Sequence, residues 1–133
     1  MMLKIIFVLL MVSIYSAKVN AEWQNIGSTD EHIYFLDPDK IRKASGYGDS
    51  YLKVWVKQVI FNDITKDGLS VNDYSIVLWQ VDCNGLTIGM KSYAEYKKDG
   101  RLVNSNQKSY VSMSDVIPNS IGEGILEKAC LYK

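Results

Sequence analysis

From Trp23 to Val111 apolar and polar residues alternate with a period of two, in short runs rich in Val, Ile, Tyr and Trp that Gly, Asn and Asp interrupt. Successive side chains of a strand point to opposite faces, so the pattern predicts antiparallel strands with one face in a core. The runs place strands at Trp23 to Gly27, His32 to Leu36, Tyr51 to Phe61, Tyr74 to Cys83, Leu86 to Tyr96 and Leu102 to Val111. After Pro118 the period lengthens: Ile121, Gly122, Ile125, Leu126, Ala129 and Cys130 recur at spacings of three and four, behind a Ser120 and Glu123 pair spaced as a capping box. A helix of about ten to twelve residues does not hold in water alone, so this one must pack on the sheet. The expected fold class is α+β and mainly β: an antiparallel sheet of about five or six strands with a C-terminal helix packed on it.

The Asn84-Gly85 pair is the strongest turn signal. Its residues suit the positive φ angles of a type I′ turn, which sets Cys83 opposite Leu86, Val81 opposite Ile88 and Trp79 opposite Met90. That register gives one wholly apolar face, Trp79, Val81, Cys83, Leu86, Ile88 and Met90, and a slip of one residue would turn it to water. A second hairpin turns at Lys97-Lys98-Asp99-Gly100, either as a type I turn with Gly100 in a bulge or as a tight Asp99-Gly100 turn. Gly46 to Ser50 and Asn62 to Asp73 read as polar loops long enough to present a binding surface.

The first residues belong to a different pattern. Lys4 precedes an apolar run from Ile5 to Tyr15, and Val19-Asn20-Ala21 makes a small-residue exit before Glu22. This reads as a cleaved secretory signal over residues 1–21, because a run of about eleven apolar residues is too short to span a bilayer. Residues 22–133 then form a single domain. No cysteine stands at the junction for lipid attachment, so the expected product is periplasmic or extracellular and not a lipoprotein.

Export changes the reading of the two cysteines. In an oxidising compartment Cys83 and Cys130 are expected to pair, one inward on a strand and the other on the buried stripe of the helix. Closing the long loop between them would stabilise the fold by roughly 4 kcal/mol. The chain carries 15 basic and 15 acidic residues, and Lys4 and Lys18 fall in the signal, so the rest is slightly acidic with its cations scattered. Nothing there suits a phosphate backbone, which excludes nucleic acid as a partner.

Several pieces, in order, now carry a likeness: Trp23-Gln24-Asn25-Ile26-Gly27, Tyr34-Phe35-Leu36-Asp37-Pro38-Asp39-Lys40-Ile41, Val54-Trp55-Val56-Lys57, Asp82-Cys83, Tyr96 with Asp99-Gly100, Ile117-Pro118-Asn119-Ser120, and Cys130. Together they resemble the surface-adhesin protein E family, small exported bacterial domains. The resemblance implies an antiparallel sheet with a disulfide-tied helix and binding of host extracellular-matrix or serum proteins. The lipid-attachment cysteine of some such adhesins is absent here.

No catalytic constellation is complete along the chain. The only histidine, His32, has no free thiol to partner once the cysteines are paired, and it reads as a solvent-facing strand residue. Asp63-Ile64-Thr65-Lys66-Asp67-Gly68 opens like a calcium loop, but its twelfth position is Tyr74 where a bidentate Glu is required, so it reads as a polar turn. Asp37 and Asp39 around Pro38 read as turn residues rather than paired catalytic carboxylates. Trp55 and Tyr51 lie on the strand face opposite Leu52, Val54 and Val56, with Tyr93 expected beside them, either open for recognition or covered by loops or by a second copy in a homodimer. The expected function is thus a non-enzymatic, exported protein-binding module that needs no cofactor and no metal. Its partner would be a host matrix or serum protein, and Asp63, Lys66, Asp67, Lys97, Lys98 and Arg101 are the candidate contacts. The alternative is a periplasmic enzyme inhibitor or accessory envelope protein.

Overall fold

The computed structural model describes residues 22–46 and 49–133. The expected signal segment lies outside the described residues. The remainder forms one eight-stranded antiparallel sheet and a single α-helix. The strands are β1 (Gln24–Ser28), β2 (His32–Leu36), β3 (Arg42–Gly46), β4 (Asp49–Ile60), β5 (Tyr74–Asp82), β6 (Thr87–Tyr96), β7 (Leu102–Gln107) and β8 (Ser114–Asp115), and α1 is Ile121–Cys130. Their spatial order is β1-β2-β4-β5-β6-β7, with β3 also on β4 and β8 also on β6.

The long β4 organises this sheet, and its sequence shows why. Leu52, Val54, Val56 and Ile60 are buried while Tyr51, Lys53, Trp55, Lys57 and Val59 between them are half-buried, a period of two written in side chains. Its Val56–Ile60 half pairs with β2 and its Asp49–Lys53 half with β3. The sequence pattern omits β3, and it starts β4 two residues late. Asp49 and Ser50 are paired strand rather than part of a polar loop, and Tyr47 and Gly48 of that expected loop lie outside the described residues.

The β5–β6 hairpin has the expected register, with Val81 opposite Ile88 and Trp79 opposite Met90. Its turn is different. The last paired residues are Asp82 and Thr87, and Asp82 Oδ1 accepts from the backbone N–H groups of both Asn84 and Gly85 at 3.0 Å. This side-chain-capped turn needs its positive φ at Leu86 (53°) rather than at Asn84 and Gly85. Leu86 is consequently 56% exposed and leaves the apolar face to which its spacing had assigned it. At the second hairpin Gly100 N–H donates to Lys97 O, Lys97 N–H donates to Arg101 O and Gly100 has φ 90°, which selects the bulged type I turn over the tight one. Strand β7 ends at Gln107, four residues short of the expected Val111.

One face of the sheet is the core. Leu36, Val54, Val56 and Val81 meet Ile125, Leu126 and Ala129 of α1, all between fully buried and 4% exposed. Helix α1 starts at Ser120, whose hydroxyl accepts from Glu123 N–H at 3.2 Å, while the Glu123 carboxylate accepts from Asn119 N–H, one residue earlier than a standard capping box. A disulfide joins Cys83 to Cys130 with Cα atoms 5.8 Å apart. It fastens the end of the helix to the β5–β6 turn, as expected from the sequence. The helix lies against β1, β5 and β6, so it covers one side of the sheet only.

Candidate binding surface

Two places on the molecule have the character of binding surfaces: the end of the sheet where the Asn62 to Asp73 loop meets the second hairpin, and the sheet face turned away from α1.

At the loop end, Asp73 is the organising group. It is 3% exposed. Its Oδ2 accepts from Ser70 N–H at 2.8 Å and pairs with Lys97 Nζ at 3.2 Å, and its Oδ1 accepts from Lys98 N–H at 2.9 Å. Lys97 Nζ also donates to Gly68 O at 2.8 Å. The bond from Ser70, followed by those from Lys98 and Lys97, holds the Asp73 carboxyl below the ordinary value of 3.8 against the opposing effect of burial. The far side of the loop is tied as well. Thr65 donates from its backbone N–H and its hydroxyl to the two oxygens of Glu31, at 3.0 and 2.6 Å, which lowers the Glu31 pKa. Leu69 is buried beneath. A loop of this length held by these six bonds is a fixed platform rather than a tether.

The candidate contacts separate on this platform. Lys98 and Arg101 are exposed and share a cleft of about 350 Å³ with Val71 and Ser70. Lys97 is turned inward by Asp73, so its charge is spent inside the fold. Asp63 and Lys66 pair with each other at 3.6 Å, and Asp63 Oδ1 also accepts from Lys66 N–H. Asp67 Oδ1 accepts from Leu69 N–H. These are the bonds of successive tight turns, in keeping with a polar turn. Among the described residues no group of three or more His, Cys, Asp or Glu side chains is placed to hold a metal ion.

The other sequence candidates are placed as follows. Asp37 is 1% exposed and caps a 3-10 turn at Pro38–Lys40: its Oδ1 accepts from Asp39 N–H at 3.0 Å, and Lys40 Nζ lies 3.8 Å from an Oδ2 that has no hydrogen-bond partner. Asp39 is exposed, so the two aspartates make a turn and not a facing pair. His32 is half-buried rather than solvent-facing. It pairs with Ile60 and has its ring 6.0 Å from that of Tyr34, on the side of β2 that leads to buried Leu36. Burial raises the Tyr34 pKa.

The open face carries a groove of about 620 Å³. A β-bulge creates its floor. Between Leu78 and Trp79 the β5–β6 register shifts by one, leaving Lys91 without a partner. Beyond it Tyr93 stands opposite buried Val77, while Ser92 and Ala94 stand opposite Leu78 and Ile76 and so join Trp55 on the open side. Tyr93, which the sequence pattern places on this face, does line the groove, but from a position paired with buried Val77. Trp23 and Lys40 wall one side of the groove, and Ser105 and Gln107 of β7 the other. Lys40 Nζ lies 5.2 Å from the centroid of the Trp23 ring. Tyr96, also in the wall, stacks on Tyr74 at 5.1 Å, and Lys57 Nζ sits 4.6 Å from the Tyr74 centroid. Farther along, the same face closes: a Cβ on Gly89 would lie 2.6 Å from Ser112 O and from Val111 Cγ1, so glycine is what lets the β7–β8 connection cross β6. The groove is the part this crossing leaves open.

A stapled antiparallel sheet that displays an anchored loop end and an open aromatic face belongs among small binding domains. The comparison with known families agrees: the model of the family described as Surface-adhesin protein E matches residues 23–131. The chain belongs to this family. Membership gives it an adhesin-like role and an exported setting, and points to binding rather than catalysis. No described helix is long and apolar enough to cross a membrane. Neither the curated proteins nor the solved structures contain a match.

Proposed function

We propose that the protein is an exported, non-enzymatic adhesin-type module that holds a host extracellular-matrix or serum protein through its loop end. Residues 1–21 act as the cleaved signal and residues 22–133 as the single binding domain, free of lipid and of any cofactor. The observation that carries the reading is the platform built on Asp73. It fixes the backbone from which Lys98, Arg101 and Val71 are presented, with Asp99 in the same cleft, so little backbone entropy is lost when a partner docks. Two exposed cations beside an apolar side chain suit an acidic patch with a small hydrophobic centre.

The test is capture on two sets of immobilised ligands, a panel of purified matrix and serum proteins and an extract of the cell envelope. Saturable binding to a matrix or serum protein is expected, together with removal of the domain when intact cells are shaved with protease. Retention of an envelope enzyme alone, with loss of that enzyme's activity and protection from shaving, would establish the periplasmic inhibitor instead.

A further inference from the structure

The groove on the open face is chemically unlike the loop end. Four aromatic residues, Trp23, Trp55, Tyr93 and Tyr96, line it together with neutral hydroxyl and amide residues, chiefly Ser92, Ser105 and Gln107. Its one charged side chain, Lys40, is already engaged by Asp37 and by the Trp23 ring. A volume of about 620 Å³ falls within the range of small-molecule sites, about 300–1,000 Å³.

Each class of ligand can be set against that lining. A lipid or other apolar ligand would bury the Ser105 and Gln107 polar groups without partners, which is costly. A strongly anionic ligand would find only a cation whose charge is shared with a carboxylate. A ligand with apolar C–H faces and a rim of neutral hydroxyls meets both halves of the lining at once, its faces against indole and phenol rings and its hydroxyls toward serine and amide groups that both donate and accept. Pyranose sugars have that construction. We infer that the groove between Trp23 and β7 is a binding site for a neutral oligosaccharide, with Trp55 as the stacking floor and Gln107 and Ser105 as hydroxyl partners. This site is separate from the loop end, so an adhesin that grips a protein there can hold a glycan here.

The experiment titrates the disulfide-bonded protein with neutral tetrasaccharides of glucose, N-acetylglucosamine, mannose and galactose, followed by intrinsic tryptophan fluorescence and calorimetry. At least one should bind saturably, with a Kd in the range of about 10 μM to 1 mM. Trp55→Ala should weaken it about tenfold or more. Trp55 is half-buried, so the exposed pair Gln107→Ala and Ser105→Ala provides an independent reading, expected at about fivefold in a protein that melts as the parent does. Lys98→Ser, at the other site, should leave the sugar affinity unchanged. The inference is overturned if none of the four sugars binds by about 10 mM, if binding survives both the Trp55 and the Gln107/Ser105 changes, or if a sulfated oligosaccharide binds at the groove more tightly than every neutral one.

Discussion

The two faces of β4 share one backbone and have opposite fates. Leu52, Val54 and Val56 are no more than 4% exposed beneath α1, whereas Tyr51, Lys53, Trp55 and Lys57, each one residue away, are half-buried with no helix above them. The one helix among the described residues can close only one side of an eight-stranded sheet. Stability is therefore concentrated where the helix, the disulfide and the aliphatic residues coincide, and side chains on the other face are free to be chosen for recognition. The stability contrast can be broken at several levels.

The largest effect should come from the staple. Cys83→Ser should cost about 2–5 kcal/mol, because the helix is too short to stay docked without help, and the loss should be visible as a lower melting temperature with faster amide exchange throughout α1. Two alkylatable thiols in the unreduced native protein would refute the pairing itself. Ile125→Ala, in the helix face that meets the sheet, should cost about 2–4 kcal/mol in chemical denaturation. A cost as small as that of an open-face change would mean that the two faces do not differ as described.

Asp73→Asn tests the loop end and should cost about 1–3 kcal/mol, since three donors lose a charged acceptor. The pH dependence has a definite sign. The folded carboxyl sits below its ordinary value of 3.8, so its contribution is fully present above that value and is lost as pH falls through the folded one. The gap in stability between the parent and Asp73→Asn should accordingly shrink on acidification; a gap that stays constant from neutral pH down to about pH 2 would show that the charge is irrelevant. The smallest change in stability, within about 0.5 kcal/mol, is expected for the double substitution Lys98→Ser and Arg101→Ser. Its effect should fall on association instead, which should become slower and less dependent on salt. Lys97 must be kept in this experiment, because its removal would unpair Asp73 and confuse loss of fold with loss of binding.

The sequence is most informative where a local signal and the alternation agree. Val81 opposite Ile88 and Trp79 opposite Met90 follow from an Asn-Gly turn joined to an apolar face, and the helix follows from its period and from Ser120. It is least informative where a long-range partner decides. Arg42-Lys43-Ala44-Ser45-Gly46 has no apolar face and becomes a strand only because half of β4 lies beside it. The Asn84-Gly85 turn departs from type I′ because the Asp82 side chain offers the backbone N–H groups an acceptor that a tighter turn would supply internally. The bulge at Lys91 has no local signature, and it exchanges the faces of Ser92 to Tyr96, so most of the groove has no trace in the alternation pattern. The loop and hairpin tip could be nominated from charge and turn residues, but nothing local distinguishes the inward Lys97 from the outward Lys98.

Strand β7 closes the main path of the sheet, every one of its six residues is exposed, and the segment Leu-Val-Asn-Ser-Asn-Gln contains neither a charge nor a proline. Soluble sheet proteins ordinarily blunt such a margin, because a row of free amide and carbonyl groups is a template for another extended chain. Here the margin is left bare, and colloidal behaviour must be governed by what flanks it: Arg101 before it and Lys108 after it, two like charges that repel a second copy approaching in antiparallel alignment less effectively as ionic strength rises. Concentrated salt is thus the condition under which this chain is most exposed to strand-by-strand aggregation.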